Sequence, residues 1–446
     1  MKNKTVGKSK TKNSKKNKIK IILKISFVFL IIFNFHIISN LIAHKHSLQV
    51  LTNKSFEIKM PFLTIDTLIS KLITNIGIRN PKYILFFDFL SNKYCNDYNS
   101  YIIFQNYQER NKTNVYYVIN KESELYNSLL LKNKTNNLIL YNQTANNSWN
   151  ILYPYLLDSK IMVHSYILPD FINLVNNVNY LKYLKINHGI RYFKNRDFNE
   201  LRIMNIGKRN TIISSPYEYN IYKNNFKFLD KEIYKAGLPR YDRFQSIKKN
   251  KAEKDCILIF FTYRSYNQSY YDKSLMKKNV KTLLEDNILT SFLKKKNIDL
   301  IYIQHHYDIL RNRTFEFNNF TYAKYKKQSF LKHYIEKCSL LVTDFSSISF
   351  DFIFQKKPAL FYLIDYYETF EYFEKDILKK FPNSSFIKNN TFYYKSSLVD
   401  KIAYYVNKKF IIEDFLKKEY EKVFYYKNNI TQRVVEIIDN IIKKDN

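Results

Sequence analysis

Residues 340 to 352 read Leu-Leu-Val-Thr-Asp-Phe-Ser-Ser-Ile-Ser-Phe-Asp-Phe. The first four are apolar or β-branched, and they predict a buried strand that ends at Thr343. The polar residues after it predict a turn, with Ser346 or Ser347 as the cap of a helix that begins there. The segment therefore predicts one strand–turn–helix step, the unit from which parallel α/β sheets are built.

Short apolar runs of the same kind recur along the chain. They are Tyr83–Phe87, Val115–Ile119, Leu138–Tyr141, Lys160–His164, Leu184–Asn187 and Thr211–Ser214, and after Pro239 they resume as Cys256–Thr262, Leu300–Gln304, Leu340–Thr343 and Ala359–Leu363. Between them lie segments of helical length, such as Lys277–Lys295 and Ser329–Lys337. This alternation predicts βαβ units with parallel sheets, in two α/β halves that divide near residues 240–250.

The N-terminal part of the chain has a different character. Residues 1–24 contain many lysines and no acid, which predicts a disordered basic tail. Ile25–Ala43 is almost wholly apolar, and ~19 residues at about 1.5 Å each just cross a bilayer core. We expect this segment to anchor the chain in the cell membrane. Asn34, His36 and Asn40 leave an interfacial helix as the alternative to a spanning one.

The chain has a net charge of +34, which favours an anionic partner. An anionic membrane surface and a polyanionic substrate both fit. Nucleic acid does not, because the sequence has no zinc-ligand spacing, RNA-binding aromatic motif or basic zipper. The three cysteines, at Cys95, Cys256 and Cys338, predict neither a disulfide framework nor a thiolate metal site.

The chain has five glycines, Gly7, Gly77, Gly189, Gly207 and Gly237. No Gly-rich dinucleotide or P-loop phosphate cradle can be built from that set. A phosphate ligand would therefore have to be held by other groups.

One candidate group follows a predicted strand as Asn187-His188-Gly189-Ile190. Open α/β sheets place ligands at such strand ends. There His188 can take a proton from a hydroxyl at neutral pH, and Gly189 lets a substrate approach closely. Lys194, a few residues on, can face a phosphate. The alternative is an imidazole that bonds to a loop carbonyl.

Three more candidates follow other strands. At Asp344–Ser347, serine hydroxyls and the free N–H groups of a helix start would form an anion site, whereas simple capping explains one serine of the pair. His305 would donate to a phosphate; with His306 it lacks the further ligands that a metal needs, so we expect no metal. Arg264 would grip a phosphate bidentately, unless it is a surface residue.

These segments occur in a fixed order. They are His188-Gly189 with Lys194, Ser214-Ser215-Pro216, Gly237-Leu-Pro-Arg-Tyr-Asp242, Thr262-x-Arg264, His305, Thr343-Asp-Phe-Ser-Ser347, Phe350-Asp-Phe352, and Lys357-Pro-Ala-Leu-Phe-Tyr362 with Asp365. Together, over about residues 80 to 375, they resemble the CDP-glycerol glycerophosphotransferases, the teichoic-acid primases and polymerases. The chain departs from that family at Ile190-Arg191, at His306, and around Phe381–Phe386, where a nucleotide-binding segment has no clear match.

The resemblance implies a GT-B-like α/β fold, in which two Rossmann-like domains face a cleft. Residues 44–245 would form the acceptor-side domain that carries the catalytic histidine, and 246–412 the nucleotide-donor domain. Helical spacing in residues 413–446 predicts a C-terminal helical segment that packs back across the first half.

The resemblance also implies an activity. Glycerol phosphate would move from CDP-glycerol to a hydroxyl of a lipid-linked or polymeric acceptor, with release of CMP, in teichoic-acid-like polymer synthesis on the cytoplasmic side of the membrane. By match to the family, the general base is His188, a phosphate-contacting histidine is His305, donor-phosphate residues are Lys194, Arg264, Ser346 and Ser347, and supporting residues are Gly189, Asp344 and Arg240. No cofactor and no metal are implied.

Three alternatives remain open at this point. The donor could be another CDP-polyol, such as CDP-ribitol. The enzyme could be a GT-B glycosyltransferase that uses a nucleotide sugar. The chain could also be a basic membrane-bound module that holds an anionic polymer without turning it over.

Overall fold

The computed structural model describes residues 81–88, 99–141, 155–156, 158–165, 181–192, 209–246, 254–264, 268–310, 322–327, 330–368 and 385–443. All of them belong to one compact unit, Thr67–Asn446. The predicted basic tail, the predicted membrane segment Ile25–Ala43, Cys95 and Lys194 lie outside the described residues. Within the described residues, no helix combines the length and the apolar character that crossing a membrane requires.

Seven parallel strands form the first sheet. They are β1 (Tyr83–Phe87), β2 (Val115–Asn120), β3 (Leu138–Tyr141), β4 (Ser159–His164), β5 (Lys182–Ile186), β6 (Arg209–Ile213) and β7 (Ile233–Lys235). Their order is β3-β2-β1-β4-β5-β6-β7. The chain thus moves outward from β1 in one direction and then outward in the other, so the order reverses between β1 and β4. Ligands of such sheets bind beyond the carboxyl ends of the strands, near that reversal.

Six parallel strands form the second sheet on the same plan. They are β8 (Cys256–Ile259), β9 (Asp299–Ile303), β10 (Lys324–Lys326), β11 (Leu340–Thr343), β12 (Ala359–Tyr362) and β13 (Thr391–Phe392). Their order is β10-β9-β8-β11-β12-β13, so the reversal falls between β8 and β11. Every residue of β8, β11 and β12 is buried, as expected for parallel strands that are covered on both faces.

The described helices connect and cover these strands. In chain order they are α1 (Asn99–Glu109), α2 (Glu124–Leu131), α3 (Pro216–Asn220), α4 (Arg240–Ser246), α5 (Gln268–Lys273), α6 (Leu275–Leu284), α7 (Asn287–Lys295), α8 (His306–Leu310), α9 (Leu331–Lys337), α10 (Ser349–Phe354), α11 (Ser385–Lys388), α12 (Lys395–Asn407), α13 (Asp414–Val423) and α14 (Ile430–Lys443). A π-helical turn at Ile221–Asn225 follows α3.

The predicted α/β class with parallel sheets is confirmed, and all ten predicted apolar runs contain strands. Lys277–Lys295 is not one helix, because α6 ends at Leu284 and Asp286 caps α7 by accepting from the Leu289 N–H at 2.9 Å. The predicted serine cap is also wrong. Helix α10 begins at Ser349 with Ile348 at the cap position, which makes no side-chain capping bond.

The structure contains a disulfide, although the number and spacing of the cysteines predicted no disulfide framework. Cys256 and Cys338 form a disulfide, with Cα atoms 4.6 Å apart, between residues separated by 82 positions in sequence. Cys256 begins β8 and Cys338 precedes β11, and these two strands are neighbours. The topology therefore joins residues whose spacing in the sequence carries no disulfide signal.

The C-terminal segment packs back across the first half, as predicted. Its apolar face, which includes Val434 and Ile438, is buried, and α14 lies against α1. The Tyr107 hydroxyl on α1 donates to Asp439 at 2.7 Å. Lys182 on β5 donates to the Ile441 carbonyl at 2.6 Å. This helix thus completes the cover of the first sheet although it follows the second sheet in the chain.

Candidate active site

The segment Asn187–Ile190, here named the His188 loop, follows β5 at its carboxyl end. The His188 side chain is exposed, whereas the residues on both sides of it are buried. The Asn187 amide donates to Glu218 at 3.2 Å, and its oxygen accepts from the Tyr222 hydroxyl at 2.8 Å. The loop is therefore anchored by its neighbours while its histidine stays open to solvent.

Glu218 lies fully buried beneath this loop, in the first turn of α3. Its carboxylate accepts from the backbone N–H groups of Arg191 at 2.9 Å, Ser214 at 2.7 Å and Ser215 at 3.2 Å. Burial raises the pKa of Glu218, and these N–H donors oppose that rise. Glu218 thus links the end of the His188 loop to the turn between β6 and α3.

Two further side chains hold the carbonyls of the loop. The Asn99 amide donates to the Asn187 carbonyl at 3.1 Å, and Arg240 Nη1 donates to the His188 carbonyl at 2.6 Å. The Arg240 backbone N–H in turn donates to the Asn99 side chain at 3.2 Å. The backbone around His188 is therefore fixed from several elements of the first half.

The segment Asp344–Ser347, here named the serine loop, follows β11 in the second sheet. Asp344 is fully buried and accepts from the Thr262 N–H at 3.1 Å and the Thr262 hydroxyl at 2.9 Å. It also accepts from Arg264 Nη1 at 2.8 Å. Because Thr262 follows β8, these bonds join the two strand ends at the reversal of the sheet.

Arg264 is only 2 % exposed, so it is not a surface residue. Its Nε and Nη2 donate to the two oxygens of Asp365, each at 2.7 Å, while Nη1 serves Asp344. Burial works against the charge, but Asp365 and Asp344 outweigh it and raise the pKa of Arg264. Its predicted contact with donor phosphate stays a prediction, because the guanidinium seen here is held by protein carboxylates.

The two serines of the serine loop keep their hydroxyls available. Within the described residues, neither the Ser346 nor the Ser347 hydroxyl has a hydrogen-bond partner. The Ser346 carbonyl accepts from the Ser349 hydroxyl at 2.8 Å, so the turn is closed through the backbone. Helix α10 uses neither hydroxyl as a cap, and Ser346 is buried whereas Ser347 is half-buried.

His305 follows β9, next to β8 in the sheet. Its Nδ1 accepts from the Tyr307 N–H at 3.2 Å, so in the neutral ring the proton lies on Nε2. Its ring centroid lies 5.1 Å from that of Tyr263, and Tyr263 stands between Thr262 and Arg264 in the chain. His306 begins α8, and in the part of the chain that the structure describes no cluster of His, Cys, Asp or Glu could hold a metal.

The His188 loop and the serine loop touch. A Cβ atom added at Gly189 would lie 2.5 Å from the Ser347 hydroxyl oxygen, inside van der Waals contact. Arg240 ties the same two regions, because its Nε and Nη2 donate to one oxygen of Asp351 on α10 at 3.1 and 2.8 Å. The two sheets therefore present His188 and the serine hydroxyls on adjoining loops.

The structure thus brings most of the predicted site residues together. His188, Gly189, Arg240, Asp344, Ser346 and Ser347 lie in or against the two touching loops, and His305 joins them through the end of β8. Three residues that hold this arrangement had no predicted role: Asn99, Glu218 and Asp351. A signal existed for one of them, because Ser215-x-x-Glu218 has the spacing of a capping box.

The chain is similar to known proteins over most of its length. Residues 71–440 match the family model described as CDP-Glycerol:Poly(glycerophosphate) glycerophosphotransferase. The chain belongs to this glycerophosphotransferase family.

Two curated relatives come from Bacillus subtilis (strain 168). The minor teichoic acid biosynthesis protein GgaB is 26% identical over 286 residues, which are 59% of this chain and 30% of GgaB. The teichoic acid glycerol-phosphate primase is 23% identical over 229 residues, which are 47% of this chain and 57% of the primase. This glycerophosphotransferase family member therefore spans less than two thirds of each relative.

A solved structure of the wall teichoic acid polymerase TagF has the same fold as this family member. The TM-score is 0.56 at 14% identity, and the similarity covers 88% of this chain and 100% of that one. At such low identity the likeness concerns the fold alone.

Proposed function

We propose that the chain transfers glycerol phosphate from CDP-glycerol to a hydroxyl of a lipid-linked or polymeric acceptor and releases CMP. The observation that carries this proposal is the contact between Gly189 and Ser347, which joins the loop of the exposed His188 to the loop that carries the two serine hydroxyls. A base for the acceptor and donors for the phosphate are the two components that this transfer requires. Family membership supplies the donor class.

The chemistry follows from these positions. His188 removes the proton from the acceptor hydroxyl, and that oxygen forms a bond to the phosphorus nearer the glycerol. The bond from this phosphorus to the bridging oxygen breaks, and its electron pair leaves with CMP. A positioned general base contributes about 10²–10⁴-fold to the rate of such a step.

The developing negative charge needs hydrogen-bond donors that are already in place. The hydroxyls of Ser346 and Ser347 would supply two of them. His305 would supply a third from Nε2, because its Nδ1 is occupied by the Tyr307 N–H. Lys194 would add a cation. Arg264 and Asp344 would act indirectly, because their ion pair holds the serine loop in place.

The same proposal extends to the architecture. We place an acceptor-side domain at residues 44–245 and a donor-side domain at 246–412, in a GT-B-like arrangement with the reaction between them. Two separate parallel sheets and the likeness to TagF support this division. Residues 413–446 would form a C-terminal helical segment that packs on the surface of the first domain. The bonds of α14 to α1 and β5 support this placement.

We further propose that Ile25–Ala43 and the basic tail attach the enzyme to an anionic membrane surface, with the catalytic domains on the cytoplasmic side. The nucleotide donor belongs in the cytoplasm. The positive-inside rule would put the basic tail there as well, and an interfacial segment satisfies both requirements. The net charge of +34 suits an acceptor that is itself a polyphosphodiester.

The test is CMP release by the full-length protein in membranes that supply the acceptor. CDP-glycerol, CDP-ribitol and a panel of nucleotide sugars are compared as donors. His188→Ala should lower CMP release by about 10²–10⁴-fold. His333→Ala, an exposed histidine on α9, is the matched control and should leave the rate unchanged.

The outcomes separate the alternatives. CMP release from CDP-ribitol alone would change the polyol and keep the reaction. Release of a nucleoside diphosphate from a nucleotide sugar would replace the proposal with glycosyl transfer. Polymer binding without turnover of any donor would leave the non-enzymatic module.

A further inference from the structure

Arg240 is placed where both halves of the site can be held by one side chain. It is the first residue of α4, it is 7 % exposed, and its Nη1 donates to the carbonyl of His188. Its other nitrogens pair with Asp351, which is 4 % exposed. A planar guanidinium can serve a carbonyl and a carboxylate at once, which a single ammonium group cannot match.

Asp351 is in turn attached to the serine loop. It is the third residue of α10, and its own N–H donates to the Ile348 carbonyl at 3.0 Å. The preceding residue, Phe350, donates to the Ser347 carbonyl at 3.1 Å. A shift of Asp351 would therefore move the turn that carries the two serine hydroxyls.

The contact between Gly189 and Ser347 limits how closely the ion pair of Arg240 and Asp351 can draw the two loops together. Gly189 lies against Ser347 so closely that even a methyl group would not fit between them. The ion pair draws the two loops together, and the glycine contact stops them at a fixed separation. Such a pair of opposed constraints defines a distance better than either constraint alone.

We propose that Arg240 is a positioning residue that, through its ion pair with Asp351, sets the His188 loop at a defined distance from the donor phosphate on the serine loop. This inference rests on the proposed function for the identity of the base and the donor. It adds a coupling between them, because a donor bound at the serine loop would change the position of the His188 loop. Misplacement of reacting groups by about 1 Å can cost about 10²-fold in rate.

The variants Arg240→Lys and Asp351→Asn test the coupling in the full-length protein. We expect each to lower kcat for CMP release by about 10²-fold while the KM for CDP-glycerol changes little, because donor contacts remain and alignment is lost. The double variant should be no slower than the slower single variant. Arg240→Lys keeps a cation opposite Asp351, so it remains informative if Asp351→Asn does not fold.

Glu232→Gln is the matched control. It also breaks a buried ion pair, with Arg209 at 3.5 Å, but it lies at the junction of β6 and β7, away from both loops. It should lower stability and leave kcat per folded molecule unchanged. If Arg240→Lys and Asp351→Asn behave in the same way as this control, their role is structural and the proposal is wrong.

A second readout does not depend on turnover. The ring signal of His188 in a histidine-labelled NMR spectrum, assigned by its loss in His188→Ala, should shift when CDP-glycerol is added to the wild type or to Glu232→Gln. It should not shift in Arg240→Lys or Asp351→Asn that still bind the donor. An unaltered shift in those variants would overturn the coupling. Absence of donor binding by the wild type would instead overturn the proposed function.

Discussion

The His188 loop and the serine loop meet at one contact, yet they are held in different ways. The His188 loop is held by hydrogen bonds to several side chains, which belong to separate elements. In the serine loop, the side-chain bonds to the end of β8 all converge on one buried carboxylate, Asp344, which Arg264 neutralises. A loop with distributed support should weaken in steps, whereas a loop held by one buried charge should fail at a single substitution.

The largest effect is expected at Asp344. Asp344→Asn removes one of the two carboxylates that surround the buried Arg264 and leaves an amide N–H₂ group that faces either its guanidinium or the Thr262 donors. Breaking a buried pair in this way costs about 3–5 kcal/mol of unfolding free energy, measured by urea denaturation.

An exposed pair provides the control for that measurement. Asp272→Asn breaks the pair with Lys277 at 2.7 Å, in which both side chains are partly exposed. Its cost should stay within about 1 kcal/mol. If Asp344→Asn costs no more than Asp272→Asn, the serine loop does not depend on that charge.

The second effect tests the contact between the loops. Gly189→Ala would place a methyl group 2.5 Å from the Ser347 hydroxyl oxygen and 2.7 Å from its Cβ, so the loops must separate. We expect kcat for CMP release to fall by about 10²-fold, since alignment is lost.

The clash can be relieved to identify its cause. Ser347→Gly removes both clashing atoms, so Gly189→Ala should cost much less in a Ser347→Gly background than in the wild type. Equal costs in the two backgrounds would place the effect of Gly189→Ala somewhere other than at Ser347.

The smallest effect is expected under the His188 loop. Glu218→Gln keeps one oxygen acceptor, but in either orientation its amide nitrogen faces N–H donors from which it cannot accept, those of Ser214 and Ser215 or those of Arg191 and Asn187. Leaving such buried donors unsatisfied costs about 1–3 kcal/mol in thermal or chemical unfolding. Glu124→Gln, an exposed residue on α2, should have almost no effect. A Glu218→Gln variant as stable as Glu124→Gln would show that the other bonds of the loop suffice.

The strands were the most predictable part of the fold. Parallel strands are buried on both faces, so their sequences are continuous apolar runs. β7, β10 and β13 escaped prediction because two or three residues carry too little pattern. The break between α6 and α7 escaped because apolar spacing continues across it, whereas one capping carboxylate, Asp286, decides it.

Strand ends in the sequence indicate where the candidate site residues lie, whereas the residues that support them could not be predicted. His188 and the serines stand directly after strands, so strand ends point to them. Asn99, Glu218 and Asp351 reach their partners across 88, 31 and 111 positions of sequence. A pairing of that kind is created by the order of strands in the sheets. Such long-range pairing leaves no local pattern in the chain, and the capping-box spacing of Glu218 indicates only its local bond.

The C-terminal helix α14 has a consequence for how the protein is made. Its Asp439 bonds to Tyr107, 332 positions earlier, and its apolar face covers the helix that carries Tyr107. At about 5–20 residues per second, the ribosome needs roughly tens of seconds to reach that point. Throughout that interval the first half of the nascent chain waits with an uncovered apolar surface. Its folding is therefore finished by residues that are translated after the whole of the second sheet.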